Sequence, residues 1–517
     1  MYLKVFFLII YNVAQIINAR GAKQNILLIV VDDLRTSLGC YGDHLAHTPN
    51  IDSLAQRSIL FTRAYTQQAL CGPSRTSLLT SRSPHHLHQY DVHQYWRQSA
   101  GNFTSLPQFF KENGYHTMSI GKVFHPGKCS NFNDDQPFSW SQQPFHPSTE
   151  RYKNNPVCPD VSSGSPSRSI VCPVNVRDQP GHTLPDLESL RAAQEYLEGR
   201  HKISDQPFFL AVGFHKPHIP LKFPKEYLKY HPLDKISLPL MRSRPPNLPT
   251  IAWNPWLDMR QRDDIRILNI TFPWERMADE WAVKVKQSYY AAVSYVDDLI
   301  GQLLKKLDDI GQRDNTIILL TSDHGWSIAE HGEWSKYSNY EVSTHVPFIL
   351  SIPGRTSGHN DHLVELLDVF PTLRDLSGID KEIPKCENGF SEILCTDGRS
   401  LEGIMNVGDF KKTKWRNGAF SQYPRPDVYP TQRPDSDQPR LRDIKFMGYS
   451  VRTVHHRYTE WVSFDVNRLA PNWSHVVGCE LYDHLIDPGE TLNLCGRKSL
   501  DHIIESLSKM LYLRWST

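Results

Sequence analysis

The sequence has almost no excess of charge of either sign. Its 517 residues contain 57 Lys and Arg against 56 Asp and Glu, a formal net charge of +1. A chain this close to neutrality gives no electrostatic reason to expect binding to nucleic acid or to an anionic membrane. A locally basic pocket remains compatible with this balance, but we expect no nucleic-acid partner.

Long apolar runs and internal repeats are also missing. Beyond residue 21, no segment reaches the roughly 20 apolar residues that a membrane-spanning helix needs, so we expect no membrane span. At the start of the chain, Lys4 precedes a short apolar run, and small residues follow at Ala19 and Gly21. This pattern predicts a secretory signal peptide over residues 1–21, with an uncleaved N-terminal anchor as the alternative.

The nine cysteines are an odd number for a secreted chain, in which thiols usually pair. At least one cysteine must therefore stay outside the internal disulfides. Cys40, Cys71 and Cys129 have no near neighbour in sequence, and Cys71 is our candidate for the unpaired one. The sequence does not fix the connectivity, but the simplest pairing is local: Cys158 with Cys172, Cys386 with Cys395, and Cys479 with Cys495.

Three N-x-S/T acceptor sequences fit the same compartment. They predict a glycoprotein, although each such triplet also occurs by chance. The acceptor residues are Asn102, Asn269 and Asn472.

Continuous apolar runs alternate with helical patterns over most of the chain. A strand that is covered on both faces reads as such a run, and the alternation is typical of α/β proteins. We therefore predict a large, mostly parallel central sheet with helices on both faces. The runs lie at 25–31, 117–123, 207–214, 316–321 and 347–352, and the helical patterns at 50–58, 106–113, 189–198, 281–307 and 362–376.

Two Pro-rich stretches, 136–185 and 222–254, predict ordered surface loops over one edge of this sheet. From about residue 417 the pattern changes to short strands at 447–453, 457–464 and 480–484, followed by a helix at 499–511. We predict a large domain over 22–405. A smaller C-terminal α+β domain with a short antiparallel sheet follows over 406–517.

The sequence Cys71-Gly72-Pro73-Ser74-Arg75 opens a predicted helix over 74–82. A helix N-terminus favours anions because its free N–H groups and its dipole point toward the ligand. By itself the motif is short, and an ordinary buried cysteine before a helix would be the safer interpretation if no other segment agreed.

The C-x-P-S-R pattern at Cys71 resembles the signature of the sulfatase family. In that family the cysteine is oxidised in the endoplasmic reticulum to formylglycine, the catalytic aldehyde. The resemblance therefore implies formylglycine at residue 71 and a formylglycine-generating enzyme as a partner during maturation. The segment Glu480-Leu481-Tyr482-Asp483 resembles a second, C-terminal signature of the family.

Charged side chains follow four of the predicted strands. A single Asp in this position is most often a cap or turn residue. Four such strand ends are harder to dismiss, because open α/β sheets bind ligands at the carboxyl ends of their strands. The residues are Asp32 with Asp33, Lys122 with His125, His215, and Asp323 with His324.

A cluster of Asp32, Asp33 and Asp323 would repel itself unless a hard cation such as Ca²⁺ or Mg²⁺ filled it. The alternative for Asp32 and Asp33 is a solvated loop, which their place after an all-apolar strand disfavours. The resemblance implies one Ca²⁺ per chain, bound by the three aspartates, His324 and the modified Cys71. His324 is a less usual ligand, since many sulfatases carry Asn there.

Sulfate ester cleavage needs positive charge where negative charge develops and an acid for the leaving oxygen. Any one candidate could also be an exposed lysine or a hydrogen-bonded core histidine. The resemblance implies that these candidate side chains act as a set: they contact formylglycine and sulfate, and the histidines among them donate and accept protons. The set is Arg75, Lys122, His125, His215 and Lys336.

Longer segments resemble one branch of the family, which removes the 2-O-sulfate from terminal iduronate in heparan sulfate and dermatan sulfate within lysosomes. The resemblance implies a sulfated glycosaminoglycan as substrate and a route to the lysosome, with partial secretion. Trp326 and Arg425 are candidate substrate contacts, the latter for the uronate carboxylate. The most specific segments are 330–334, 336–339 and 421–426.

Two features depart from that branch. Gly72 stands where we expect Ala, a change that should not block oxidation. The segment after Arg355 is shorter, which affects substrate preference if this loop borders the pocket. Three alternatives remain: a sulfatase for another sugar position, a phosphonate or phosphodiester hydrolase with the same metal core, and a non-catalytic glycan-binding relative.

Overall fold

The structure is a computed structural model that describes residues 23–159, 165–386, 392–405 and 414–516. The predicted signal peptide at 1–21 lies outside these residues, as does the predicted start of the small domain at 406. Within the described part of the chain, no helix has both the length and the apolar character needed to cross a bilayer.

A seven-stranded sheet forms the centre of the large domain, in the spatial order β7-β2-β6-β5-β1-β4-β3. The neighbouring strands β5, β1, β4 and β3 pair in parallel, whereas β6 is antiparallel to both β5 and β2. The predicted mostly parallel sheet is confirmed. The strands are β1 (Asn25–Val31), β2 (Ile59–Phe61), β3 (His116–Gly121), β4 (Phe208–Phe214), β5 (Thr316–Ser322), β6 (Phe348–Ser351) and β7 (Gly358–Asn360).

Strand β1 shows why the central runs are continuously apolar. Its alternate side chains belong to two different hydrophobic cores, one on each face of the sheet, and Ile29 and Leu28 represent the two sets. Because both faces are covered, every position must be apolar. The longer helices are α1 (Pro49–Gln56), α2 (Cys71–Thr80), α3 (Leu106–Glu112), α4 (Pro185–Ile203), α5 (Asp279–Asp309), α6 (Val369–Leu376) and α7 (Asp501–Trp515).

Short elements complete the large domain. Single-turn helices lie at Trp96–Ser99, Leu257–Arg260, Asp263–Arg266 and Glu341–Thr344, and short strands at Ala64–Tyr65, Cys158–Pro159, Pro166–Ser167, Val171–Val174, Leu221–Pro224, Ser327–Ile328, Trp334–Ser335, His345–Val346 and Val364–Glu365. The helix predicted over 362–376 was too long at its start. Val364–Glu365 pairs instead with Ala64–Tyr65, and the α-helix begins only at Val369.

The C-terminal part forms a four-stranded antiparallel sheet, as predicted in kind. Its strands are β8 (Ala419–Arg425), β9 (Phe446–Arg452), β10 (His456–Asp465) and β11 (Ala470–Asp483). The sequence prediction missed β8 and most of β11. Strand β11 is an edge strand with a register shift opposite Trp461 and Val462, and its first half is largely exposed, so it shows little apolar alternation.

The cysteines pair locally: Cys158 with Cys172, Cys386 with Cys395, and Cys479 with Cys495. Cys40, Cys71 and Cys129 are free thiols. The three candidate glycosylation residues, Asn102, Asn269 and Asn472, all lie on exposed positions.

Candidate active site

The register of three parallel strands positions the site. Val31 at the end of β1 pairs with Ser322 at the end of β5 and with Phe214 at the end of β4. The residues that follow these strands must therefore emerge side by side. They are Asp32, Asp323 and His215, and the N–H of Asp32 donates to the carbonyl of Phe214 at 3.1 Å.

Cys71 is the first residue of helix α2 and is 3% exposed. The helix thus begins three residues earlier than predicted. The Sγ atom lies 3.3 Å from Nε2 of His324 and 3.3 Å from Nζ of Lys336. It also lies 3.5 Å from Oδ1 of Asp32 and 3.6 Å from Nζ of Lys122. Acidic and basic groups from four separate segments therefore converge on this one sulfur atom.

The acidic side of the site fits a hard cation. Ligand atoms of Asp32, Asp33, Cys71 and His324 all lie within 4.8 Å of one another, and all four residues are buried. The Oδ2 atom of Asp33 is buried without a hydrogen-bond partner among the described residues. Asp323 extends the group, with Oδ2 3.6 Å from Nε2 of His324. A buried carboxylate oxygen with no donor is costly, and a divalent cation with a preference for oxygen would satisfy it.

Asp33 also has an unusual backbone conformation. Its φ angle is +61°, in the left-handed region that residues other than glycine seldom adopt. Such conformations cluster at functional sites, where the surrounding structure holds them in place. Here the N–H of Asp33 donates to Oδ1 of Asp323, and its carbonyl accepts from the hydroxyl of Tyr289 at 2.8 Å.

Three cations face these carboxylates. Arg75 donates from Nε to Asp323 at 2.8 Å and from Nη2 to Asp32 at 3.1 Å. Lys122 pairs with Asp32, and Lys336 pairs with Asp33 at 2.8 Å. Burial favours the neutral acid, yet Lys122 and its neighbouring charges hold the pKa of Asp32 well below its usual value. The site therefore keeps its opposite charges ionised despite being buried.

Histidines lie beside this cluster. Burial, reinforced by Lys122, lowers the pKa of His125 well below its usual value, and His218 behaves in the same way through burial and Lys153. His215 contacts Asp186 through Nδ1 at 3.1 Å and approaches Glu150 through Nε2 at 4.0 Å.

Sequence reasoning noted His218 after the strand that ends at Phe214 but gave it no role, and it did not single out Glu150, Lys153 or Asp186. A lone Glu or Lys in a Pro-rich loop carries no signal. Asp186 directly follows Pro185 at a helix start, where an acidic residue is ordinary. Their relation to the site arises only from the tertiary fold.

The structure does not bring Trp326 or Arg425 into the cluster as predicted substrate contacts. Trp326 is 1% exposed, and its ring is stacked on Tyr289 in the hydrophobic core. Arg425 is 3% exposed and donates to the carbonyls of Ile251 and Tyr337. Because that guanidinium group already binds backbone carbonyls, it is poorly placed to receive a carboxylate.

Parallel strand ends that surround one buried cysteine with carboxylates and cations fit a hydrolytic enzyme of mixed α/β fold that uses a metal ion. The profile of the sulfatase family matches residues 24–379. The chain belongs to the sulfatase family and is thus a sulfuric ester hydrolase.

The chain is 45% identical to iduronate 2-sulfatase of Mus musculus over 95% of its own length and 94% of that relative. It is 46% identical to iduronate 2-sulfatase of Homo sapiens over 92% of each chain. A solved structure in complex with D-glucosamine-2-N,6-O-disulfate superposes with a TM-score of 0.68 at 22% identity, over 95% of this chain and 97% of the other. That structure supports the fold alone.

Proposed function

We propose that this sulfatase hydrolyses the 2-O-sulfate ester of terminal iduronate in heparan sulfate and dermatan sulfate. The observation that carries the substrate assignment is the identity of 45–46% to two iduronate 2-sulfatases over more than nine-tenths of each chain. The similarity thus extends beyond the region that matches the family profile and into the C-terminal sheet.

The segment after Arg355, which is shorter than the resemblance leads us to expect, lies away from the proposed site. It connects β6 to β7, and Ser351 at the end of β6 pairs with Ile318 near the start of β5. The segment that follows β6 therefore begins near the amino end of β5, whereas Asp323 lies at the carboxyl end of β5. A loop at the opposite end of the sheet leaves the surroundings of Cys71 unchanged.

Residue 71 is the proposed nucleophile after oxidation of its thiol to formylglycine. As a hydrated aldehyde it would offer one hydroxyl to attack sulfur and a second whose deprotonation expels sulfate. Asp32, Asp33, Asp323 and His324 would hold one Ca²⁺ beside it, which would polarise the sulfate ester as a Lewis acid.

Other side chains supply charge and protons. The ammonium groups of Lys122 and Lys336, at 3.6 and 3.3 Å from Sγ of Cys71, lie where negative charge on the sulfate oxygens needs compensation. Arg75 is 1% exposed and binds two of the carboxylates, so it holds the ligands in place. His125 and His215 are the proposed proton donors and acceptors for the leaving alcohol and the nucleophile.

The proposed maturation follows from this chemistry. Oxidation of Cys71 requires a formylglycine-generating enzyme, which acts in the endoplasmic reticulum. We therefore place the protein on the secretory route to the lysosome, with partial secretion. The three local disulfides and the exposed acceptor asparagines are compatible with that route.

The test compares purified protein on three substrates: an iduronate-2-sulfate disaccharide, a glucosamine sulfate and a phosphodiester. We expect the highest kcat/KM on the first. A preference for glucosamine sulfate would assign the site to another sugar position. A preference for the phosphodiester would reject sulfate ester hydrolysis as the main reaction of this site.

A further inference from the structure

The side chain of His215 is held by a buried carboxylate that no part of the proposed reaction uses. Asp186 is 1% exposed and lies in the first turn of helix α4. Its Oδ1 accepts the main-chain N–H of His215 at 2.7 Å and lies 3.1 Å from Nδ1 of the same residue. Its Oδ2 accepts the main-chain N–H of Lys216 at 3.0 Å. One carboxylate thus fixes both the backbone and the ring of His215.

The topology explains why these two residues meet. Helix α4 (Pro185–Ile203) directly precedes strand β4 (Phe208–Phe214) and packs against it in the opposite direction. The first turn of the helix therefore lies beside the carboxyl end of the strand, where the site is built. The free N–H groups of that first turn favour a negative charge at Asp186.

The contact determines which ring nitrogen can exchange a proton. Because Oδ1 of Asp186 is an acceptor, it selects the form of His215 that carries hydrogen on Nδ1. The other nitrogen, Nε2, is then the one that can take up or release a proton. It lies on the opposite side of the ring, where the nearest carboxylate oxygen is Oε2 of Glu150 at 4.0 Å.

His215 is tied to the centre of the site through its neighbour in the strand. The carbonyl of Phe214 accepts the N–H of Asp32 at 3.1 Å. A shift at the end of strand β4 would therefore move both His215 and Asp32. Lys216 adds rigidity on the other side, since its Nζ donates to the carbonyl of Pro220 at 2.8 Å and also to that of His218. The imidazole is therefore oriented by a well-anchored turn.

We propose that Asp186 is a positioning residue for the sulfatase reaction: it fixes the tautomer and the orientation of His215. This inference rests on the proposed function of His215 in proton transfer. In other enzymes, a carboxylate behind a catalytic histidine has this role, and its amide replacement costs turnover although the geometry survives.

The test is Asp186→Asn, assayed on the iduronate-2-sulfate disaccharide. The single amide oxygen can accept only one of the two backbone N–H groups, which Oδ1 and Oδ2 accept separately in the wild type, and the negative charge behind the ring is lost. The control must therefore lose one backbone acceptor in the same way. We expect kcat to fall roughly 10- to 100-fold, within the range of general acid–base catalysis, while KM changes less than about threefold. The Tm of Asp186→Asn should fall no further than the Tm of the control variant Asp264→Asn.

Asp264→Asn is the matched control. Asp264 is also buried, and its two oxygens also accept two consecutive backbone N–H groups, from Ile170 at 2.8 Å and Val171 at 3.0 Å. Within the described part of the chain it makes no hydrogen bond or ion pair to a histidine. We expect its kcat to stay close to that of the wild type. Equal losses of kcat in the two variants would overturn the proposal, because they would indicate a common structural effect.

A double-mutant cycle with His215→Gln supplies the second readout. If Asp186 acts through the imidazole, Asp186→Asn should change kcat less than about threefold once His215 is replaced. The same loss in both backgrounds would contradict the inference. If the Asn variant does not fold, Asp186→Ser replaces it, because serine keeps a hydrogen-bonding oxygen at the helix start but has no carboxylate. Wild-type kcat in that variant would also contradict the inference.

The assay separates this inference from the proposed function. If the wild-type protein does not hydrolyse the disaccharide, the substrate assignment fails first. If the wild type is active and Asp186→Asn is equally active, only the role of Asp186 is rejected.

Discussion

The Nζ atom of Lys336 lies 3.3 Å from the Sγ atom of Cys71. The same ammonium group donates to Oδ1 of Asp33 at 2.8 Å. A single buried cation therefore connects the proposed nucleophile with a proposed metal ligand. Burial opposes this charge, but Asp33 and Cys71 keep the pKa of Lys336 well above its usual value, so the group stays protonated at physiological pH.

We predict that Lys336→Met lowers kcat by about 10²- to 10³-fold, the usual effect of removing one donor from a charge-stabilising site. Lys445→Met, on the exposed surface of the C-terminal sheet, is the control. Steady-state kinetics on the disaccharide will distinguish the two. Turnover of Lys336→Met within threefold of the wild type would show that the cation is not needed in the transition state.

Cys71→Ala should fold with a normal Tm but lose essentially all turnover, because alanine cannot be oxidised to an aldehyde. Cys40→Ala removes a different free thiol that lies away from the cluster and should remain active. A peptide mass spectrum across residue 71 of the wild type should show the aldehyde. Retained activity in Cys71→Ala would reject the assignment of the nucleophile.

The positions of the central site residues were accessible from the sequence. Strand β1 is unmistakable, because it is apolar at every position, and the residue after it had to reach the carboxyl edge of the sheet. The same argument applies to β4 and β5, so the sequence alone predicts that Asp32, His215 and Asp323 lie at one edge of the sheet, and the strand register brings them there. The sulfatase resemblance is confirmed by the family match.

Side-chain orientation was not accessible in the same way. Arg425 is in a segment that resembles the iduronate-specific branch, but no local pattern reveals that its guanidinium binds backbone carbonyls. Asp186 and His215 are 29 residues apart, and only the packing of a helix against its following strand brings them together. The first part of edge strand β11, before residue 480, was missed because it is largely exposed and pairs with β10 through its backbone, which leaves little trace in hydrophobic periodicity.

Metal removal provides a prediction with a readout besides activity. A cation bound only by the folded state raises stability with its concentration, so Ca²⁺ should raise the Tm and EGTA should lower it. Asp33→Asn should need at least about tenfold more Ca²⁺ for the same rise, since site charge sets calcium affinity. Asp314→Asn, at an exposed position, should match the wild type. A Tm that does not respond to Ca²⁺ would contradict a calcium site.

Two buried carboxyl groups, Glu333 and Glu480, are predicted to contribute more to stability in acid than at neutral pH. Glu333 is fully buried, and only its Oε1 has a partner among the described residues, the N–H of Asn254 at 2.9 Å. Burial raises the pKa of Glu333 to about 8, against the opposing effect of that N–H group. Glu480 lies in strand β11 of the C-terminal sheet, and burial raises the pKa of this residue to about 7.

The sign follows from proton linkage. Between the usual glutamate pKa and about 8, the folded chain keeps a proton at Glu333 that the unfolded chain has released. The contribution of Glu333 to the free energy of unfolding therefore decreases as pH rises through this window, by up to about 1.4 kcal/mol per pH unit. Glu333→Gln removes the titration, so its stability should decline less than that of the wild type between acidic and slightly alkaline pH. Denaturant unfolding at several pH values measures how steeply the free energy of unfolding changes with pH in each variant. Glu505→Gln, at an exposed position, is the control. Equal slopes for the wild type and Glu333→Gln would exclude Glu333 as a source of stability in acid.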